Sequence, residues 1–310
     1  MLKWGNMEPR IVFMGSPDFA LPTLRALDAS FNVVGVVTQP DRPAGRGREM
    51  RPPDVKVLAD ELGLPVIQPA TLKSPEAFAQ LAAWQPDVIV VAAFGQLLRE
   101  NVLTLPSFGC VNVHASLLPR WRGASPVQAA VLNDDVTGVT IMQMAKGLDT
   151  GPILSQRAVT IRQDQTAGAL FDELAEMGAD LLVETLPGYL AGGILPQPQD
   201  DALATYAAKI EKADGELDLS QPADYLARKV RAYSPWPGTF QFYDGTYLKI
   251  HKANAASGKD VIPGMRYVVE DRPAWGTGEG LLVLAEVQLA GKSRVSGEAF
   301  LRGAKNWLTD

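Results

Sequence analysis

Short apolar runs alternate with stretches of helical period over residues 11–161, and this alternation limits the fold more than any other feature of the chain. Residues 11–14, 32–38, 65–67 and 87–93 are too short for buried helices and read as strands. Helices are predicted between them at 17–29, 55–62 and 74–84. A strand at 111–114, a helix at 126–132, strands at 138–144 and 153–161 and a helix at 167–186 complete the series. Strands linked through helices pair in parallel by crossovers, which gives a doubly wound α/β sheet. Ser16 is the expected N-cap of the first helix, with Pro17 at its first position.

The pattern changes after residue 190. Residues 192–199 turn to Gly, Pro and polar side chains, the composition of a linker. Beyond them, runs at 240–243 and 246–251 flank Asp244-Gly245, a strong hairpin signal. Further strands are expected at 267–269 and 281–284. Residues 1–9 carry no pattern and read as an extension or tag, with Met7 a candidate start. The expected organisation is therefore an extension over 1–9, an α/β domain over 10–190, a linker over 191–208 and a small β-barrel-like domain over 209–310.

A single cysteine, Cys110, excludes an internal disulfide and a cysteine metal cage, and reads as a small buried hydrophobe. No run of about 20 apolar residues and no signal-peptide order is present, so a soluble cytoplasmic protein is expected. The net charge of −6 is uneven, −7 over residues 1–204 and +1 over 205–310. That balance argues against non-specific coating of nucleic acid. It leaves one local basic patch, Arg42, Arg46, Arg48 and Arg51, in a loop over 39–53 rich in Gly, Pro and Arg.

The chemistry concentrates in Val111-Asn112-Val113-His114-Ala115-Ser116-Leu117-Leu118-Pro119-Arg120-Trp121-Arg122-Gly123. Alternation with valines puts Asn112 and His114 on one face of a strand, at its end, where an open α/β sheet builds its sites. Only one other histidine exists, His251, which reads as a surface strand residue. Dinucleotide binding is not supported: Gly15 is followed by Ser16 and Pro17 rather than by a Gly-x-Gly-x-x-Gly turn. The best third partner is Asp149, alone between glycines in Lys146-Gly147-Leu148-Asp149-Thr150-Gly151; a structural turn carboxylate is the alternative. Asn, His and Asp together suit acyl transfer to an amine. The amide stabilises an oxyanion, the imidazole moves a proton and the carboxylate orients the ring. With no second histidine at helical spacing, metal hydrolysis is not expected and no metal is assigned.

These segments resemble the folate-dependent formyltransferases. Beside the Asn-x-His strand and Gly-Leu-Asp-Thr-Gly, the resemblance takes in Gly15-Ser16-Pro17-Asp18-Phe19-Ala20, the stretch from Thr38 to Gly47 and Ser234-Pro235-Trp236-Pro237-Gly238. It covers residues 10 to 305, with Ala115 and Ser125 standing where Gly and Ala are frequent. It implies a Rossmann-like formyltransferase domain followed by an OB-like β-barrel domain. It implies 10-formyltetrahydrofolate as donor and the amino group of methionyl initiator tRNA as acceptor, on a cytoplasmic monomer. On the matching positions, Asn112, His114 and Asp149 are implied as the catalytic trio, and Ser116, Leu117, Leu118 and Pro119 as the folate loop. Backbone groups of residues 90–95 are implied at the pterin. Arg42, Arg46, Arg48 and Lys249 are implied at the tRNA. Two alternatives stay open: the same transfer to a small amine, such as a sugar nucleotide or glycinamide ribonucleotide, and a non-catalytic tRNA or folate binding module. Aromatic side chains of the second domain are expected mainly in its core, and Arg120-Trp121-Arg122 at the rim of the site or on plain surface.

Overall fold

The structure is a computed structural model that describes residues 8–44, 49–304 and 306–308. Most of the expected extension, together with Arg46 and Arg48, lies outside the described residues. By internal packing the chain forms two compact, interleaved units. The first takes the chain up to Gly123, then Thr137–Val159 and Phe171–Tyr206; the second takes Ala124–Val136, Thr160–Leu170 and the chain from Ala207 onward.

Seven strands of the α/β part form one sheet in the order Ile153–Thr160, Val136–Gln143, Cys110–His114, Val88–Ala92, Arg10–Gly15, Asn32–Val37 and Val66–Ile67. The last five pair in parallel, and Val136–Gln143 runs antiparallel to Cys110–His114. Val88–Ala92 and Cys110–His114 are buried along their whole length, as strands covered on both faces must be. In chain order the parallel strands lie third, second, first, fourth, fifth. The direction of winding therefore reverses between Arg10–Gly15 and Val88–Ala92, which opens a crevice at the carboxyl ends there. Gly15 makes this junction possible: a Cβ on it would stand 2.7 Å from the Ala20 Cβ and 2.8 Å from the Ala92 carbonyl.

The helix Ala167–Leu190 continues past the expected end at 186, through Pro187. Tertiary contacts hold its last turn, where the Tyr189 hydroxyl donates to the Phe108 carbonyl at 2.7 Å. Gly178 brings this helix close to the sheet, since a Cβ there would stand 2.6 Å from Cγ1 of Val113. Ser16 does not cap the first helix. A short 3-10 turn, Asp18–Ala20, precedes the helix Leu21–Ser30, and the Ser16 hydroxyl accepts from the backbone N–H of Gln39 at 3.1 Å instead. The expected loop over 39–53 contains an antiparallel ribbon of Arg42–Ala44 and Glu49–Arg51.

In the second unit, Thr239–Tyr243, Thr246–Ala256, Leu281–Leu289, Arg272–Gly276 and Arg266–Val269 form a sheet in that order, with Val295–Ser296 added on Leu281–Leu289. Neighbouring strands are antiparallel, and among the described residues the pairing path is open at both ends. Asp244 and Gly245 both have positive φ, 46° and 74°, as a type I′ hairpin turn requires. Tyr243, Trp275 and Trp307 pack in the core with Leu226 and Val230 of the helix Ala223–Ala232. Phe242 and Tyr247 do not. Their strand positions point outward, and the rings cluster with Phe240 on the solvent face, centroids 4.8 Å apart for each pair with Tyr247. Among the described residues no helix is long and apolar enough to cross a membrane.

Candidate active site

The strand Cys110–His114 ends at the crevice, and its two polar side chains end there together. Asn112 pairs in register with Val91 and Met142, and His114 with Thr140. Both are buried, 9% and 6% exposed. Among the described residues no protein group hydrogen-bonds the Asn112 carboxamide. Its Nδ2 and Oδ1 are not sealed from solvent, so the amide is free to meet a ligand.

His114 is held at one ring nitrogen and faces a carboxylate with the other. Nε2 lies 3.0 Å from the carbonyl oxygen of Trp121, and Nδ1 lies 3.8 Å from Oδ2 of Asp149. That Oδ2 also accepts from the backbone N–H of Gly123 at 2.8 Å. The carboxylate expected from spacing as the third partner thus stands beside the imidazole. Trp121 and Asp149 both adopt positive φ, 63° and 51°, and so does Ala93 at the end of the neighbouring strand, 46°. Side chains other than glycine rarely take this conformation, and such residues cluster where surrounding bonds hold a site in shape.

The loop Ser116 to Pro119 is pinned from the sheet. Thr140 Oγ1 donates to the Ser116 carbonyl at 2.6 Å and accepts from the Leu118 N–H at 3.0 Å. Gln156 Nε2 donates to the Leu118 carbonyl at 2.8 Å. Ser116 and Leu118 are sealed, and the Ser116 hydroxyl donates to the Arg120 carbonyl. Leu117 and Pro119 remain partly exposed. Arg122 is neither rim nor plain surface: it is 2% exposed and bonded to Gln199 and Asp201. Gln199, Thr205 and Thr140 are site-shaping residues that the sequence does not single out. Their partners lie too far along the chain to leave a local pattern.

The ribbon base is fastened to the same crevice. Gln39 Nε2 donates to the Phe94 carbonyl at 3.0 Å, and Asp41 accepts from Lys56 and Gln68. The Gln68 hydrogen bond, then Lys56, lowers the Asp41 pKa. Arg42 at the base is exposed and donates to Gln39. Lys249 belongs to the second unit, where it is exposed on the outer face of the hairpin.

The second unit has its own cavity of 910 Å³, lined by Arg228, Arg231, His251, Lys252 and Arg294 as well as Asp164 and Asp224. Arg228 pairs with Asp135, and Arg294 with Glu286. Among the described residues the Arg231 guanidinium makes no hydrogen bond or ion pair. Burial, then the neighbouring Arg228, lowers its pKa. Burial likewise lowers that of His251, against the hydrogen bond that its Nε2 donates to Gln288 Oε1.

Residues 10–186 match the family described as formyl transferase, and residues 209–305 match the family described as formyl transferase, C-terminal domain. A methionyl-tRNA formyltransferase of Roseiflexus sp. (strain RS-1) is 50% identical over 304 residues, covering 96% of this chain and 94% of its own. That of Halorhodospira halophila is 50% identical over 303 residues, 96% of this chain and 97% of its own. Among solved structures, an N-formyltransferase from Helicobacter canadensis, in complex with folinic acid and dTDP-3-aminofucose, superposes with a TM-score of 0.66 at 17% identity, over 91% of this chain and 100% of that one. HypX from Aquifex aeolicus, in complex with tetrahydrofolic acid, superposes with a TM-score of 0.61 at 17% identity, over 98% of this chain and 48% of that one. At such identities these two structures bear on the fold alone.

Proposed function

This chain belongs to the formyl transferase family, and from that premise we propose that it transfers the formyl group of 10-formyltetrahydrofolate to the amino group of methionyl initiator tRNA. The observation that carries the chemistry is the Asn112 carboxamide, on a buried residue yet open to solvent and without a protein partner, beside a histidine whose Nε2 faces a carbonyl. The relatives that share half of their residues with this chain favour the tRNA acceptor over a small amine. A non-catalytic binding module would have no use for an oxyanion donor and a polarised imidazole held this way.

In this reading the aminoacyl nitrogen attacks the formyl carbon, forming the new C–N bond and pushing an electron pair onto the carbonyl oxygen. Asn112 Nδ2 donates to that oxygen. One such donor contributes roughly 3–4 kcal/mol to the transition state. Trp121 offers His114 an acceptor, so Nε2 carries a proton and Nδ1 is the basic nitrogen. His114 takes the proton that the attacking amine sheds, with the Asp149 carboxylate placed to attract the charge developing on the ring. As the bond between the formyl carbon and the folate nitrogen breaks, His114 returns the proton to that nitrogen. Ser116 and Leu118 fix the loop, while Leu117 and Pro119, with the exposed backbone at Ala93 and Gly95, line the folate side.

The acceptor is held by cations. Arg42 of the ribbon is assigned to its end, together with Arg46 and Arg48, which lie outside the described residues. Lys249 and the unpaired Arg231 of the second unit, which we read as OB-like, are assigned to its phosphates. Phe240, Phe242 and Tyr247 add a stacking surface beside Lys249. The same reading takes the protein as a cytoplasmic monomer, working where tRNA is charged. Mass analysis of methionyl-tRNA incubated with the protein and 10-formyltetrahydrofolate tests it: the aminoacyl ester gains the mass of a formyl group. No gain, with transfer instead to a sugar-nucleotide amine, overturns the assignment.

A further inference from the structure

Residues 197–205, inside the expected linker over 191–208, fasten both residues that face His114. Gln199 Nε2 donates to two carbonyls, those of Asp149 at 2.8 Å and Gly151 at 2.7 Å. Its Oε1 accepts from Arg122 Nε at 3.1 Å and from Nη2 at 2.9 Å. Both amide hydrogens and the oxygen are thereby committed. The charge of Arg122 is balanced by Asp201, 2.7 Å away. Six residues beyond Gln199, Thr205 acts on the other partner. Its hydroxyl accepts from the Trp121 N–H at 2.9 Å, and its carbonyl accepts from the Arg122 N–H at 2.9 Å. At the start of the segment Gln197 exchanges both backbone hydrogen bonds with Ile153, at 2.7 and 2.8 Å.

The two residues so gripped, Asp149 and Trp121, are those whose backbones sit at positive φ around His114. A conformation of that kind costs on the order of 1–3 kcal/mol and persists only where neighbours over-determine it. Asp149 supplies the carboxylate facing Nδ1, and Trp121 the carbonyl facing Nε2. One stretch of chain therefore fixes both residues that face the imidazole nitrogens, with no hydrogen bond of its own to the ring among the described residues.

We propose that residues 197–205 brace the catalytic centre, with Gln199 the positioning residue for Asp149 and Thr205 the positioning residue for the Trp121 carbonyl; this rests on the reading of His114 and Asp149 as catalytic. Ground-state binding of either substrate does not depend on the brace, whereas the alignment of the proton-transferring ring does.

The test is Gln199→Leu, which keeps the bulk of the side chain and removes its four hydrogen bonds, measured as methionyl-tRNA formylation. The expected result is a fall in kcat of about ten- to a hundredfold, the scale of a misplacement near 1 Å, with each KM within about twofold. In an Asp149→Ala background the same change should cost less than about threefold, because Gln199 then has no carboxylate to position. Thr205→Val, which leaves no buried arginine donor stranded, should lower kcat in the same way. It should also shift the ring nitrogen signals of His114 in NMR, readily assigned in a chain with two histidines. Should Gln199→Leu fail to fold, Thr205→Val decides alone. Unchanged kcat in both variants, or an equal loss with and without the Asp149 carboxylate, overturns the brace. If His114→Ala, run alongside, keeps full activity, it is the catalytic reading that falls.

Discussion

Trp121 presents its carbonyl oxygen 3.0 Å from Nε2 of His114, and Trp121 takes a left-handed backbone conformation to do so. A carbonyl only accepts, so the ring keeps its proton on that side and leaves the lone pair on Nδ1. His114→Ala should reduce formyl transfer at least about a hundredfold, since proton transfer is lost. Folate affinity should stay within the error of a fluorescence titration.

Removing the Asn112 carboxamide is the complementary experiment. Asn112→Ala should lower kcat by about a hundred- to a thousandfold, the effect of deleting one preorganised donor. Asn112→Asp should do no better, because a carboxylate has nothing to donate at neutral pH. Single-turnover rates at saturating substrates separate this effect from binding.

The ribbon predicts a salt effect. Neutralising Arg42 and Arg46 should raise the KM for tRNA and leave folate affinity unchanged. The log–log dependence of tRNA binding on salt should become shallower by up to about two phosphate contacts. An unchanged slope with unchanged kinetics returns the ribbon to an ordinary solvated turn.

Close packing of the long helix on the catalytic strand gives a stability prediction. Gly178→Val places new carbon atoms against Val113, where a Cβ alone would already stand 2.6 Å from Cγ1. Overpacking of this kind costs about 1–3 kcal/mol. Val113→Ala in the same chain should recover part of the loss, which thermal unfolding of the two variants and the double variant measures.

In the second unit, the Arg272 guanidinium beside Glu298 is the main cause that brings its carboxyl down to about 2 from 4.5. A folded-state pKa below the unfolded one means that the contribution is present above pH 4.5 and is lost as pH falls towards 2. Glu298→Gln should therefore differ from the parent chain at neutral pH and converge on it in acid. Chemical denaturation across that range checks the convergence.

The residues most legible in the sequence are those whose signal is local. Asn112 and His114 share a face because a strand has a period of two, and the run of apolar neighbours identifies the strand. Asp244-Gly245 announces its hairpin because both positions need positive φ. Ser16 misleads for the opposite reason: its hydroxyl is claimed by Gln39, which lies 23 residues further on, just past the strand Asn32–Val37. Arg122 is buried because Gln199 and Asp201, 77 and 79 residues away, solvate its charge, and no window around Arg122 contains that information. Phe242 and Tyr247 carry the composition of a core, and only the strand register turns them outward. Asp149 is intermediate: its glycine neighbours mark a turn, while its place beside His114 emerges only from the fold.

The interleaving of the two compact units bears on how enzymes of this kind can be recombined. The helix Pro126–Asn133, which belongs to the second unit, packs against Ala223–Ala232 and buries Val127, Ala130 and Val131, yet it is encoded between the catalytic strand and the Asp149 loop. The Thr160–Leu170 stretch is intercalated in the same manner, and its Gly168 N–H donates to the Ser234 carbonyl at 2.9 Å. A single crossover near residue 190 would splice a foreign second unit onto two native pieces of the old one. A chimera that keeps the second unit whole has to exchange three segments at once, so that unit is inherited as a mosaic and not as a detachable C-terminal cassette.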